Sequence, residues 1–166
     1  ANSVRASLPL FPPLWLNEML AANSSSLTDR LGDHDPWVEL YHAGAIPISL
    51  NGYYLTDNYT NLLKWAFPTN AVINPGQFLL LWADNEPGES TSDEFHAGFR
   101  LNPANGSLAL VRIQNSQPEI VDYLDYSLPD PDTSLGLFPD GQPKSRRIFP
   151  LPTPLAQNQL PGENHP

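Results

Sequence analysis

Nineteen prolines spread over 166 residues constrain this chain more than any other feature. Each lacks the amide that a helix needs and clashes with the preceding turn. Few proline-free windows are long enough for an ordinary helix, so the chain is predicted to fold from short strands and turns. The best window for a helix is 14–35, where Leu16, Met19 and Leu20 have helical spacing. Leu14 and Leu16 also alternate with Trp15 and Asn17, as a half-buried strand requires. The strand reading is preferred over 14–21, followed by a polar loop over 23–35 with room for one helical turn.

Further strands follow the same logic. Over 37–43, Val38 and Leu40 alternate with Trp37, Glu39 and Tyr41. The 53–57 strand follows Asn51-Gly52, a strong reversal signal. Short strands at 64–67 and 71–73 flank Pro68, and Gly76 after Pro75 supplies a turn that needs positive φ. The unbroken apolar run 78–83 suits a strand covered on both faces. A short strand is predicted at 99–101, Asn105-Gly106 reads as a second turn, and strands at 107–112 and 120–126 flank a polar turn at 114–118. Trp37, Trp65 and Trp82 are expected to anchor the core, and Trp15 to lie partly exposed toward a neighbouring domain. Many short strands without a βαβ rhythm define an all-β sandwich with little or no helix. The expected organisation is a tail over 1–13, one domain over 14–158, and a second tail over 159–166. The proline-rich stretch 149–161 is expected to run extended along the domain surface.

Charge narrows the partners. Eight basic against eighteen acidic residues give a net charge of −10, which repels nucleic acid and anionic membranes. The one basic cluster, Lys144, Arg146 and Arg147, reads as a solvated patch. The absence of cysteine excludes disulfides, thiolate metal sites and a cysteine nucleophile. No apolar stretch is long enough to span a membrane as a helix. The chain starts at Ala1 rather than Met and reads as an excised domain or a processed product. Its low charged fraction, 16%, and its many Asn, Ser, Thr, Pro and Gly residues suit an extracellular module.

Motifs for catalysis are missing: there is no His-Glu-x-x-His pair, no Gly-x-Ser-x-Gly elbow and no phosphate loop. The chain is therefore read as a non-enzyme. The best cation candidate is Asp33-His34-Asp35, with Glu39 and Glu18, on strands read as neighbours, as further ligands. Oxygen ligands of this kind suit Ca²⁺. The simpler reading is a solvated turn whose aspartates cap backbone amides. Asp130-x-Asp132-x-Ser134 imitates the start of an EF-hand but has Leu135 and Gly141 where that loop needs Gly and Glu. His96 reads as a hydrogen-bonded structural histidine. Tyr53, Tyr54 and Tyr59 are candidates for a contact surface, with partial core packing as the simpler reading. Three glycosylation sequons begin at Asn23, Asn58 and Asn105; in an Asn- and Ser-rich surface they are read as coincidental.

A series of short motifs runs through most of the chain. Leu16-Asn17-Glu18-Met19 and Trp37-Val38-Glu39-Leu40-Tyr41 come first, then Leu50-Asn51-Gly52-Tyr53 and Leu55-Thr56-Asp57. Lys64-Trp65-Ala66-Phe67-Pro68, Ile73-Asn74-Pro75-Gly76 and Phe78-Leu79-Leu80-Leu81-Trp82-Ala83-Asp84 follow. Phe95-His96-Ala97-Gly98-Phe99, Ser134-x-Gly136, Pro139-Asp140-Gly141, and Pro152-Thr153-Pro154 with Asn158 complete the order. In this order they resemble a lamin tail domain of the bacterial secreted type. Two positions depart: Leu137 stands where that family usually has Arg, and Leu155 replaces the Gly that commonly follows Pro-Thr-Pro. The resemblance implies an immunoglobulin-like β-sandwich without catalytic machinery. It further implies a module of a larger exported bacterial protein, at the cell surface, outside the cell or in the periplasm. Such a module would contact neighbouring domains, proteins or polysaccharides. The alternative is a calcium-dependent accessory domain of a secreted hydrolase or other enzyme.

Overall fold

The computed structural model describes residues 11–143 and 145–162. Residues 1–10 of the tail expected over 1–13, Lys144, and residues 163–166 of the tail expected over 159–166, including His165, lie outside the described residues. In chain order the strands are β1 (Leu14–Leu20), β2 (Trp37–His42), β3 (Ile48–Ser49), β4 (Tyr53–Thr56), β5 (Trp65–Ala66) and β6 (Val72–Ile73). They continue with β7 (Phe78–Trp82), β8 (Phe95–His96), β9 (Asn105–Gln114), β10 (Gln117–Ser127), β11 (Ser134–Leu137) and β12 (Arg146–Phe149). One 3-10 turn, Pro87–Glu89, precedes β8.

A six-stranded sheet in the order β12-β11-β1-β2-β7-β8 and a four-stranded sheet in the order β10-β9-β4-β5 form the main layers, with the ribbon β3-β6 as a small third sheet. All named pairings are antiparallel except β7 with β8. The core between the layers follows from alternation. Val38, Leu40, Leu79 and Leu81 enter it from the six-stranded sheet, and Leu55, Leu108, Leu110 and Leu124 from the four-stranded one. Successive side chains of a strand point to opposite faces, so the intervening residues look outward.

β1 would put Glu18 into that core if it were regular, because Leu14 and Leu16 already are there. A β-bulge between Leu16 and Glu18 prevents this. The extra residue shifts the alternation, so Met19 joins the core and Glu18 pairs with Glu39 on the outer face. The same shift brings Leu20 beside Trp37, which in turn pairs with Trp82. These three form a second apolar cluster on the outer face, with Leu80 packed against it. Trp37 and Trp82 are thus buried as expected, but not in the main core, and Trp65 is only half-buried against it.

Arg146 on β12 is not the solvated residue expected from the basic cluster. Its Nη2 donates to Asp122 Oδ2 at 2.6 Å and to the Leu16 carbonyl at 3.2 Å. The Leu16 amide, next to the bulge, donates to the same Asp122 Oδ2 at 2.9 Å. One carboxylate on β10 thereby ties the bulged strand of the opposite sheet to β12. Asn105-Gly106 is also not a turn; both residues lie in β9 opposite Ser127 and Tyr126. The β9–β10 hairpin turns at Asn115 and Ser116, with φ of 51° and 61°, inside the polar turn expected at 114–118. The strand expected at 99–101 reduces to a single bridge between Asp84 and Arg100.

Residues 150–158 leave β12 without joining a strand, yet Asn158 is buried. They cross the outer face of the six-stranded sheet over Gly136, whose Cβ, if added, would lie 2.8 Å from Asn158 Nδ2 and from the Asn17 carbonyl. The segment therefore runs extended along the domain, as expected, and is packed onto the sheet as a strap. Gly136→Ala is expected to destabilise the fold by roughly 1–3 kcal/mol through overpacking. Gly88→Ala, where an added Cβ meets nothing within 4 Å, is expected to stay within about 0.5 kcal/mol. Urea unfolding of the two variants beside the wild type checks both.

Candidate functional site

The strap is held by a network of buried side chains that radiates from the β1 bulge. Glu18 accepts from Ser134 Oγ at 2.5 Å, from the Thr153 amide at 3.0 Å and from Thr153 Oγ1 at 3.1 Å. Glu39, its cross-strand partner, accepts the Leu155 amide at 2.5 Å. Asn17 donates from Nδ2 to Asp140 Oδ1 at 2.9 Å and accepts the Gly141 amide at 3.1 Å. Asn158 closes the ring by donating from Nδ2 to the carbonyls of Leu137 and Asn17 at 2.7 and 3.2 Å.

Three carboxylates, Glu18, Glu39 and Asp140, meet here. Burial pushes Glu39 up to about 8, opposed by the Leu155 amide and reinforced by Glu18 and Asp140. Burial raises Glu18 as well, against its bonds from Ser134 and Thr153. A proton therefore resides on this pair at neutral pH. The chemistry is that of a structural clasp. Leu155 sits in it with φ of 61°, the left-handed conformation that glycine adopts freely. This is the position where the resemblance leads one to expect glycine.

Of the residues expected to hold a cation, Asp33 and Asp35 do come together, but with Asp29 rather than with Glu39. Their carboxylate oxygens lie within 4.8 Å of one another, while Glu39 is committed to the clasp. Asp35 is buried and takes Arg100 Nη1 at 2.7 Å. Asp29 Oδ1 caps the amides of Leu31 and Asp33 at 2.9 and 2.8 Å. Asp132 is likewise engaged: the Ser24 hydroxyl and amide, with Ser25, hold it down at about 2. His96 is the buried structural histidine expected, bonded through Nδ1 to Asp84 Oδ2 at 2.6 Å.

The tyrosines divide. Tyr53 belongs to the core and is 8% exposed, so it is not available as a contact residue. Tyr54 is half-buried, opposite Val111 on the outer face of the four-stranded sheet. Tyr59 is 39% exposed and its hydroxyl lies 2.8 Å from Asp125 Oδ1. Burial raises it to about 12, with that Asp125 bond in support. Its ring meets Tyr123 edge to face at 6.2 Å, and Tyr123 is 57% exposed. Tyr123 pairs with Ala109, which shares its face with Val111 and Ile113 by alternation along β9. Ile113 and Ile120 are exposed too. Sequence reasoning missed Tyr123; the signal was its alternation with Leu124 in the predicted 120–126 strand.

Two packed antiparallel layers, closed by a polar strap, define an immunoglobulin-like β-sandwich of binding or structural type. The family model for the Lamin Tail Domain matches residues 12–128, and the chain belongs to that family. Among curated proteins, none matches it. The matched stretch covers β1 to β10, while β11, which hydrogen-bonds to β1, and the strap lie past it. No helix among the described residues is long and apolar enough to cross a membrane.

Glu39 titrates near 4.5 when unfolded and near 8 when folded. Its contribution to stability is complete below the unfolded value and is lost as pH rises through the folded one. Melting temperature should therefore fall from about pH 5 to pH 9, and Glu39→Gln should flatten that decline, as thermal melts followed by circular dichroism will show. Leu155→Gly should raise stability by about 1 kcal/mol, since relief of the left-handed strain outweighs the loss of a side chain that is mostly exposed. Chemical denaturation measures that gain.

Proposed function

We propose that this chain is a non-catalytic interaction module of a larger exported bacterial protein. Its contact surface is the outer face of the four-stranded sheet, and its partners are proteins or polysaccharides at the cell surface. The observation that carries this reading is the distribution of exposed aromatic and aliphatic groups. Tyr59, Tyr123, Ile113 and Ile120 are exposed on this layer. The opposite layer is different: its outer face carries the strap and the Leu20, Trp37 and Trp82 cluster. Aromatic side chains offer large, rigid contact area and are enriched where proteins meet ligands. The paired Tyr59 and Tyr123 rings also bring a polar rim, Asp125 and Ser107, which share a bond of 2.7 Å. That combination suits stacking on a sugar ring or packing against a protein side chain.

Export is supported by the resemblance to secreted members of the family and by a composition low in charge. The net charge of −10 argues against a nucleic-acid partner. Affinity electrophoresis against bacterial exopolysaccharides, with pull-down on cell-wall material and on the proteins of the outer surface, tests the proposal. Wild-type chain is expected to be retained, and Tyr123→Ala to weaken retention about tenfold, as for a central aromatic contact. Retention unchanged in both Tyr123→Ala and Tyr59→Ala would contradict the assignment to this face.

A further inference from the structure

At the far edge of the six-stranded sheet, the loop before β2 meets the 3-10 turn and β8. A carboxylate oxygen of Asp29, one of Glu94 and a ring nitrogen of His96 lie within 4.8 Å of one another there. We propose that these three side chains bind a transition-metal dication of the zinc type, which fastens the loop to β8. The proposal is independent of the interaction face.

The hydrogen bonding assigns each ligand atom. Asp84 Oδ2 lies 2.6 Å from His96 Nδ1, and both side chains are fully buried. A carboxylate behind Nδ1 keeps the proton there and leaves the Nε2 lone pair free, the usual support of a metal-bound imidazole. Nε2 faces Glu94 Oε1 at 3.3 Å. Two acceptors that face each other in this way need a positive species between them. Donors bound tetrahedrally to one zinc at ~2.1 Å stand roughly 3.4 Å apart, close to the 3.3 Å separation found here. Asp29 supplies the second observation. It is 5% exposed, its Oδ1 is spent on the Leu31 and Asp33 amides, and its Oδ2 is buried with no hydrogen-bond partner. A buried carboxylate oxygen without a partner carries a large desolvation cost, which a bound cation removes.

The surrounding charge agrees. Glu89 Oε2 is buried without a partner as well. Burial raises Glu89, followed by the effect of Glu86, while His96 lowers it and Asp29 and Asp84 raise it further, which places it in the same field. Arg30 faces this group: its Nε is 3.7 Å from Glu94 Oε1, its amide donates to the same oxygen at 3.4 Å and its Nη2 donates to the Glu89 carbonyl at 3.1 Å. Arg100, beside Asp84, is engaged with Asp35 at 2.7 Å. Asp29, Asp84, Glu89 and Glu94 still outnumber these cations. An imidazole with two carboxylates selects zinc or a similar ion over Ca²⁺, which takes oxygen ligands. The competing arrangement is an imidazolium bridging Asp84 and Glu94: burial lowers His96, but these two carboxylates raise it above its ordinary value. That arrangement leaves Asp29 Oδ2 unpaired.

Isothermal titration of the chelator-stripped chain with ZnCl₂, and separately with CaCl₂, at about pH 7.5 tests the site. One Zn²⁺ per chain is expected, with a rise in melting temperature on saturation. Asp29→Asn and Glu94→Gln should each weaken binding at least tenfold, and Asp33→Asn should leave it unchanged. Nitrogen-15 spectra of the imidazole supply a readout that does not depend on any variant folding: Zn²⁺ should shift His96 Nε2 and leave Nδ1 protonated. Absence of Zn²⁺ binding together with an imidazolium carrying both protons would overturn the proposal. Binding of Ca²⁺ alone, abolished by Asp33→Asn, would overturn it too and place a cation on the oxygen ligands of Asp29, Asp33 and Asp35 instead.

Discussion

Two carboxylates buried side by side on the outer face of the central strand pair set the terms for the rest of this fold. Left alone, Glu18 and Glu39 would be intolerable there, because burial and mutual repulsion both oppose their charge. The fold answers with a proton on the pair and with donors from a remote segment: Ser134 on β11, and the Thr153 and Leu155 amides of the strap. Unmade, such a network costs more than an apolar substitute; fully satisfied, it specifies one arrangement. The strap consequently has one register on the sheet, fixed by which amide meets which carboxylate.

The bulge at Asn17 is what makes this possible. It turns Glu18 away from the core without giving up Leu16 or Met19 to solvent. It also brings Leu20 beside Trp37, so the polar clasp and the tryptophan cluster share one face. The disrupted ladder is repaired by Asp122 from the other sheet, which takes the Leu16 amide and is itself paired with Arg146. A single extra residue thereby couples the two layers, the strap and β12. With one outer face occupied in this way, the contact surface we propose is the other.

Much of the architecture was legible because alternation and turn chemistry are local. Val38 and Leu40, the apolar 78–82 run, and Asn51-Gly52, where Gly52 has φ of 82°, behave as their sequence neighbours dictate. Four short strands, β3, β8, β11 and β12, were not foreseen. Two-residue strands such as β3 and β8 carry no period, and β11 and β12 are defined by pairing with residues far away in sequence. The site was harder to read for the same reason. Asp35 and Glu39 are close in sequence, but β2 carries Glu39 along the outer face to the strap, while Asp35 turns to Arg100. Asp29 and His96 lie apart in sequence, and only the parallel pairing of β7 with β8 brings His96 to that edge. Asn17 looked like an ordinary polar strand position; nothing local marks it as a bulge.

Whether the strap is an integral part of the sandwich is measured most directly by native-state hydrogen exchange at the Thr153 and Leu155 amides. Both donate to buried carboxylates. They are expected to exchange only through global unfolding, as slowly as the Leu40 amide in the central sheet. Exchange of these two amides at the rate of an open surface loop, with Leu40 still protected, would contradict the account.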